Sequence, residues 1–435
     1  MAGGAVVPSH DYGTAGRLTD RLESRLASAL GGEDGGGGVS RRAVLGGIGV
    51  AGGATVAGLG GRANARGAGG DDGDDHDHES THGNFGAVGE YADADFDPHA
   101  FLRQFNTGRD GQASVDQRVY EEDGRTVREF DLVAVDTTIT IAPGVEFQAW
   151  AYNGQVPGPT LRAVEGDLIR VNFQNAGRHA HTIHPHLRNL NPRMDGVPTN
   201  GPGVLDQGES FTYEWLAQPA GVHLYHCHSL PLKEHIHRGL YGMLVVDPDP
   251  ERVRENPRAY TAADAPVSNA YRDELVERAK TRNHEYDEND AVDELVMVMN
   301  GFDTNFDGDN EVYAVNTRAF AYGVGETDGK GDWAPGETKR PVQVDGQRPL
   351  RVYLVNAIEF DPINSFHTHS QFFDYYDHGT TLSPTLKTVD TVMQCQAQRG
   401  ILELDYSTHD PGLYMFHAHQ SEFAELGWMS FFEVV

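Results

Sequence analysis

The chain predicts an all-β protein built from two β-sandwich domains, and three observations carry that expectation. Short stretches alternate apolar and polar residues, as in "IRVNF" (169–173) and "FTYEW" (211–215), which sorts side chains onto the two faces of a strand. Gly/Pro turns such as "NGQVPGP" and "PAGV" punctuate these stretches at close intervals, as in sandwiches. The chain also repeats itself. "DLIRVNFQNAG…HTIHPH" is echoed by "PLRVYLVNAIE…SFHTH", and "PAGVHLYHCH" by "DPGLYMFHAH". Histidine pairs stand at similar separations in the two halves, 184 to 226 and 367 to 417. Two copies of one sandwich follow.

Taken in order, residues 1–65 have the layout of a twin-arginine export signal. Arg41 and Arg42 precede a Gly-rich, weakly apolar stretch that ends in "ANA" at 63–65, a small-residue cleavage pattern. That stretch is too short and too mildly apolar for a stable span of a membrane. Residues 66–95, rich in Gly, Asp and His ("GDDGDDHDHESTHG"), read as a solvated linker. The first domain is expected over 96–250, with clear β patterning from about 128. A charged, Pro-containing linker is expected at 251–292, with a helix near "YRDELVERAKTR", and the second domain over 293–435. "DTNFDGDNEV" (303–312) begins like a calcium loop but has Ala314 where the twelfth position needs a bidentate Glu. A turn between strands fits it better.

With 65 Asp+Glu against 34 Lys+Arg the net charge is −31. Such a charge repels nucleic acid and anionic membranes, excluding both as partners. It also destabilises a compact state at low salt, whereas at molar salt the screening length falls to about 3 Å. A salt-loving source, a halophilic archaeon, is expected. Two cysteines, Cys227 and Cys395, build no disulfide framework. Cys395 in "VMQCQAQ" is expected to be a small buried thiol.

The histidines carry the chemistry. Chance places about one His-x-His pair in a chain of this composition, yet there are seven, four of them at repeat-equivalent positions: His184/His186, His226/His228, His367/His369 and His417/His419. Residues i and i+2 of a strand share a face, so each pair can aim two imidazoles at one point. Eight neutral imidazoles suit a cluster of three first-row metal ions. Cys227, between His226 and His228, points to the opposite face. So does His181, an odd offset from His184. A thiolate, His181 and one downstream histidine make a His2Cys set, the ligand group of a blue-copper electron-transfer site. His223, His378 and His409 match no motif and are expected to be structural.

"HTIHPH", "HCH…H", "FHTH" and "FHAH", with "NGQVPGPTL" and "MDGVP", resemble the multicopper oxidases built from cupredoxin domains, over about 128–435. The likeness is to two-domain members with the blue copper in the first domain. It implies cupredoxin-like Greek-key sandwiches and four coppers per protomer: one type 1, one type 2 and two type 3. By the resemblance His181 is a type 1 ligand, His184 and His367 type 2, and His186, His226, His228, His369, His417 and His419 type 3. Family spacing before a Gly selects His235 over His237 as the second type 1 histidine and Leu240 as the axial residue, with Met243 the alternative. Asp195 matches an acidic residue that relays protons near the cluster. The implied activity is laccase-like: one-electron oxidation of a reducing substrate coupled to reduction of O2 to water, in a homotrimer whose clusters lie between subunits. Export places it outside the cell or on its surface. Copper nitrite reductase is the rival enzyme, and a copper-binding or storage protein the non-enzymatic alternative.

Overall fold

The computed structural model describes residues 98–106, 115, 117–142, 145–262, 266–283, 292–319 and 341–435. The expected export segment and linker, including His76 and His78, lie outside them. A short helix, α1 (Pro98–Arg103), precedes β1 (Gln117–Glu122), β2 (Arg125–Ala142), β3 (Val145–Tyr152), β4 (Gly158–Val164) and β5 (Leu168–Asn175). Then come β6 (His184–Pro185), β7 (Ser210–Leu216), β8 (Gly221–His226), α2 (Leu232–His237) and β9 (Tyr241–Asp247). They form two sheets, β1-β2-β5-β7 with β3 also on β2, and β4-β9-β8-β6. Helices α3 (Pro250–Glu255) and α4 (Asn269–Arg282) follow. The expected linker helix is α4, with Ser268 Oγ capping its first turn by accepting from Tyr271 N.

The second half contains β10 (Asp293–Phe302), β11 (Val312–Val315), β12 (Val342–Val344), β13 (Leu350–Asn356), β14 (Ile363–Thr368) and β15 (Phe373–Asp377). It ends with β16 (Leu386–Val389), β17 (Thr391–Cys395), β18 (Arg399–Leu404), β19 (Gly412–His417), α5 (Ser421–Glu425) and β20 (Met429–Val434). Its sheets are β11-β10-β13-β18-β15-β16 and β12-β20-β19-β14-β17. The internal repeat is now visible as pairing. Parallel β2–β5 and antiparallel β5–β7 correspond to parallel β10–β13 and antiparallel β13–β18. The path β4-β9-β8-β6 corresponds to β12-β20-β19-β14. In both copies the short pairing that ends this path sets histidine opposite histidine, His184 against His226 and His367 against His417.

Each sandwich has its own core, and a third core joins them. Along β10, Leu295, Met297 and Met299 pack into the second sandwich, while Val296, Val298 and Phe302 face the first. Strand β9 behaves alike: Leu244 and Val246 face the first sandwich's core, whereas Met243 and Val245 face the seam. These central strands are buried on both sides, which is why "ELVMVM" and "YGMLVV" read as continuous apolar runs rather than alternation. Charges cross the seam too. Buried Arg162 on β4 makes a two-point ion pair with Asp247 (2.8 and 3.0 Å) and reaches Glu294 on β10 at 2.8 Å. Arg351 meets Glu294 at 3.1 Å, and Tyr353 Oη donates to it at 2.8 Å.

Two expectations need correcting. Residues 98–106 were grouped with the first domain, yet Leu102 packs in the second sandwich's core, and Arg103 bonds Asp293 at 2.8 Å. Sequence order is no guide to which apolar face a short helix covers. Cys395 is exposed, not buried. Strand β17 does alternate, but Val392 and Gln394 take the inward phase and leave Met393 and Cys395 outside.

Candidate metal centres

Cys227 follows directly on β8, and its N–H donates to the Leu240 carbonyl (2.9 Å) at the start of β9. Helix α2 in the intervening loop turns His235 inward, where its Nδ1 lies 3.3 Å from Cys227 Sγ and 3.2 Å from His181 Nδ1. His181 Nδ1 is 3.9 Å from the same sulfur. Donors about 2.0–2.3 Å from one first-row ion stand about 3.2–3.7 Å apart, so this trio fits a single ion. All three are buried. Burial, with the neighbouring ring of His235, lowers His181 to about 3, and burial with His179 lowers His235 to about 4. Both are neutral donors at ordinary pH. Burial raises the Cys227 thiol, partly offset by N–H groups of Ser229 (3.5 Å) and Thr182 (3.4 Å) aimed at the sulfur. Binding a metal here must therefore expel a proton.

His237 goes elsewhere: its ring packs against Phe147, Phe306 and Phe360 and its Nε2 meets the Asp303 carbonyl. Leu240 shares the core around Cys227, while Met243 points into the seam between sandwiches. Of the two pairs of alternatives, the structure brings His235 to the sulfur and places Leu240, not Met243, in the core cluster that holds Cys227.

The histidine pairs form two half-sites. In the first, His186 Nε2 and His226 Nε2 stand 3.0 Å apart, with the His184 ring 5.2 and 5.3 Å from theirs and His228 5.3 Å from His184. In the second, His369 Nε2 and His417 Nε2 are also 3.0 Å apart, with His367 5.1 and 5.2 Å from them and His419 5.0 Å from His367. The back nitrogens are tied in matching ways. His226 Nδ1 donates to the Cys227 carbonyl (2.8 Å) and His417 Nδ1 to that of Ala418 (2.6 Å). His184 and His367 donate to the carbonyls of Asp195 (2.8 Å) and Asp390 (2.9 Å). Those bonds fix the tautomer of His184, His226, His367 and His417 and leave their Nε2 lone pairs bare, a donor set that suits a cation. Burial lowers His186 to about 2 and His226 to about 3, so neither ring is an imidazolium at ordinary pH.

Asp195 closes the loop behind His184, its carboxylate 3.3 Å from His184 Nδ1. Gly196 makes that turn possible: at φ +69° a Cβ there would overlap the Ile183 carbonyl. Among the described residues no hydrogen bond or ring contact joins one half-site to the other.

Several participants escaped sequence reasoning. Thr182 Oγ1 accepts from His228 N (2.9 Å), and Ser365 Oγ repeats this for His419 N (2.8 Å). Their place two residues before His184 and His367 was the readable signal. Arg399, from β18 of the second sandwich, brings Nη1 to 3.4 Å from His186 Nδ1 and is lowered to about 10 by burial. Buried His223, expected to be structural, brackets the His186 and Pro219 carbonyls. In the second copy Ala418 replaces Cys227, keeping the equivalent backbone bond to Trp428 (3.1 Å), and that indole fills the core against Phe366 and Phe416.

Two multicopper oxidase family models match, over residues 134–251 and 304–435. A solved multicopper oxidase is 44% identical, with 80% of this chain and 100% of that one covered at a TM-score of 0.60. The chain belongs to the multicopper oxidase family. Its sandwiches are cupredoxin-like, and membership implies copper as the ion for these donors. The blue copper oxidase of Nitrosomonas europaea is 26% identical over 71% of this chain and 86% of its own, TM-score 0.52. Among curated relatives, the copper-containing nitrite reductase of Neisseria meningitidis serogroup B is 33% identical over 118 residues, and copper resistance protein A of Pseudomonas syringae pv. tomato 37% over 119. Those matches cover 26% and 27% of this oxidase-family chain, but 28% and 19% of the relatives' lengths.

Proposed function

We propose that the protein is an exported, laccase-like oxidase that removes single electrons from a reducing substrate and reduces O2 to water. The buried trio of His181, Cys227 and His235, one residue from the His226/His228 pair, carries the reading. His181, Cys227 and His235 are assigned to type 1 copper, with Leu240 as a non-coordinating axial neighbour. His184 and His367 are assigned to type 2, and His186, His226, His228, His369, His417 and His419 to type 3, four coppers per protomer. Copper on these donors would supply one-electron acceptance at the trio and multi-electron reduction of O2 at the histidines.

The chain's own part is connection, orientation and proton handling. Cys227 and its two neighbours make the link between the centres a matter of a few covalent bonds. Thr182 and Ser229 N–H groups stabilise the thiolate, and the carbonyls behind His184, His226, His367 and His417 hold the rings in one tautomer. Asp195, half-buried beside His184, is placed to carry protons toward the cluster.

Each half-site offers four histidines and, among the described residues, makes no hydrogen bond or ring contact with the other. Head-to-tail pairing of a first half-site with the second half-site of a neighbour completes a cluster, and a closed ring, proposed to be a trimer, leaves none unfilled. The twin-arginine pattern supports export, and the net charge of −31 a high-salt habitat. Among the described residues no helix is long and apolar enough to cross a membrane.

Copper analysis, sedimentation and O2 uptake on the copper-loaded protein test the reading. Four coppers per chain, a trimer, and uptake with phenolic or aromatic-amine reductants are expected. Two coppers per chain with nitrite turnover would establish a nitrite reductase instead, and copper binding without O2 uptake under any reductant a storage protein.

A further inference from the structure

The side chains around the sulfur are almost closed to solvent: His181, Cys227 and Leu240 are fully buried and His235 is 3% exposed. A reductant in solution therefore meets at most an edge of His235. One side chain lies over both imidazoles. The Trp150 ring on β3 is 4.8 Å from that of His235 and 5.6 Å from that of His181. Its backbone N–H donates to the Arg238 carbonyl at the end of α2 (3.0 Å), which ties the indole to the helix bearing His235. The exposed His179 ring lies tilted against it, centroids 4.2 Å apart and ring planes at 34°. The Arg238 guanidinium also sits over it at 4.8 Å, between Trp150 and the half-exposed Phe306 at 4.3 Å.

We infer that Trp150 is the electron-uptake element of this oxidase: a planar, one-electron reductant docks on the outer face made by His179, Arg238 and Phe306, and its electron crosses the indole to the buried trio. This rests on the oxidase reading above. At each encounter the reductant loses one electron and the buried centre gains it. A phenolic donor releases its proton to solvent, where His179 stands. Trp150 is not itself consumed; with His179 it supplies a run of close π contacts from surface to ligand, each shorter than the direct contact of His179 with His181 at 6.5 Å. The outer face is aromatic and cationic in places, but Arg238 is paired with Glu234 (3.1 Å), so flat shape rather than charge governs what docks. Donors that cannot lie against a ring are expected to be slow for their driving force. Trp150 touches ligands without holding the metal and is a positioning residue for electron transfer.

Stopped-flow bleaching of the blue absorption under anaerobic conditions, with hydroquinone and with hexacyanoferrate(II), separates the possibilities. Trp150→Leu, Trp150→Phe and His179→Ala are compared with the wild type, each checked for copper content, visible spectrum and reduction potential. We expect the bimolecular rate in Trp150→Leu to fall by at least an order of magnitude, with spectrum, copper content and potential unchanged. His179→Ala should slow hydroquinone more than hexacyanoferrate(II). Trp150→Phe, which best preserves the core, should retain an intermediate rate and keeps the test alive should the leucine variant not fold. Wild-type rates in all variants, or slowing that follows a changed spectrum or lost copper, would overturn the inference. A wild-type protein that never turns blue or never bleaches would instead defeat the oxidase reading itself.

Discussion

Gly239 is the residue on which the geometry around Cys227 turns, and Gly239→Ala is the sharpest test of how that geometry is held. Its φ is +112°, well outside the regions a residue with a Cβ prefers, and an added Cβ would overlap Val156 Cγ2 and come within 3.0 Å of Val156 Cγ1. The backbone part costs about 1–2 kcal/mol, and the overlap about 1–3 kcal/mol. Together they predict a loss of about 2–5 kcal/mol, or about 2–6 °C in Tm for a chain of this size. Because Gly239 joins α2 to Leu240, relief of the overlap would swing His235 away from the sulfur. Thermal unfolding of the metal-free protein reads the energy, and the visible spectrum of the copper-loaded protein reads the displacement. A cycle with Val156→Ala isolates the overlap, and a coupling of about 1–3 kcal/mol is expected between the two sites. A stability change under about 1 kcal/mol with an unaltered spectrum, or no coupling to Val156, would refute the reasoning.

Arg162→Met should cost about 3–5 kcal/mol by breaking a buried ion pair. The loss should persist in molar salt, which screens exposed pairs such as Arg118–Asp131 but not this one; denaturation at two salt concentrations checks it. Metal-free protein should lose stability as pH falls below about 6.5, because His223 and His237 are held by burial at about 4 while the unfolded chain takes up their protons first. Each contributes on the order of a few kcal/mol by pH 4, and unfolding midpoints across pH 4–7 report it. Asp195→Asn should lower steady-state O2 uptake by about 10²-fold or more without slowing anaerobic bleaching of the blue absorption. Slower bleaching would move Asp195 from proton delivery to metal binding.

The duplicated sandwich and the four His-x-His pairs were legible because they follow from period-two alternation and simple repetition. Alternation does not say which phase faces inward, however, and that is how Cys395 came out on the wrong side. The choice of His235 over His237 needed α2, six residues whose turn sends one histidine to the sulfur and the other into a cage of phenylalanines. Trp150 and Arg399 carry no motif at all. They sit far from the metal donors in sequence, on β3 and on β18 of the opposite sandwich, so their roles arise only through tertiary contact.

The replacement of Cys227 by Ala418 in the second copy, with Trp428 in the place of Leu240 and its indole filling the core, gives the duplicated chain a polarity. Two related scaffolds hold matching histidines, but one carries a sulfur beside them and the other an indole-filled core. If a neighbour completes each cluster as proposed, pairing unlike halves would supply one conductor per cluster, never two and never none. Pairing like halves would yield either a doubly fed centre or an insulated one, so the direction of assembly would also set the direction of current.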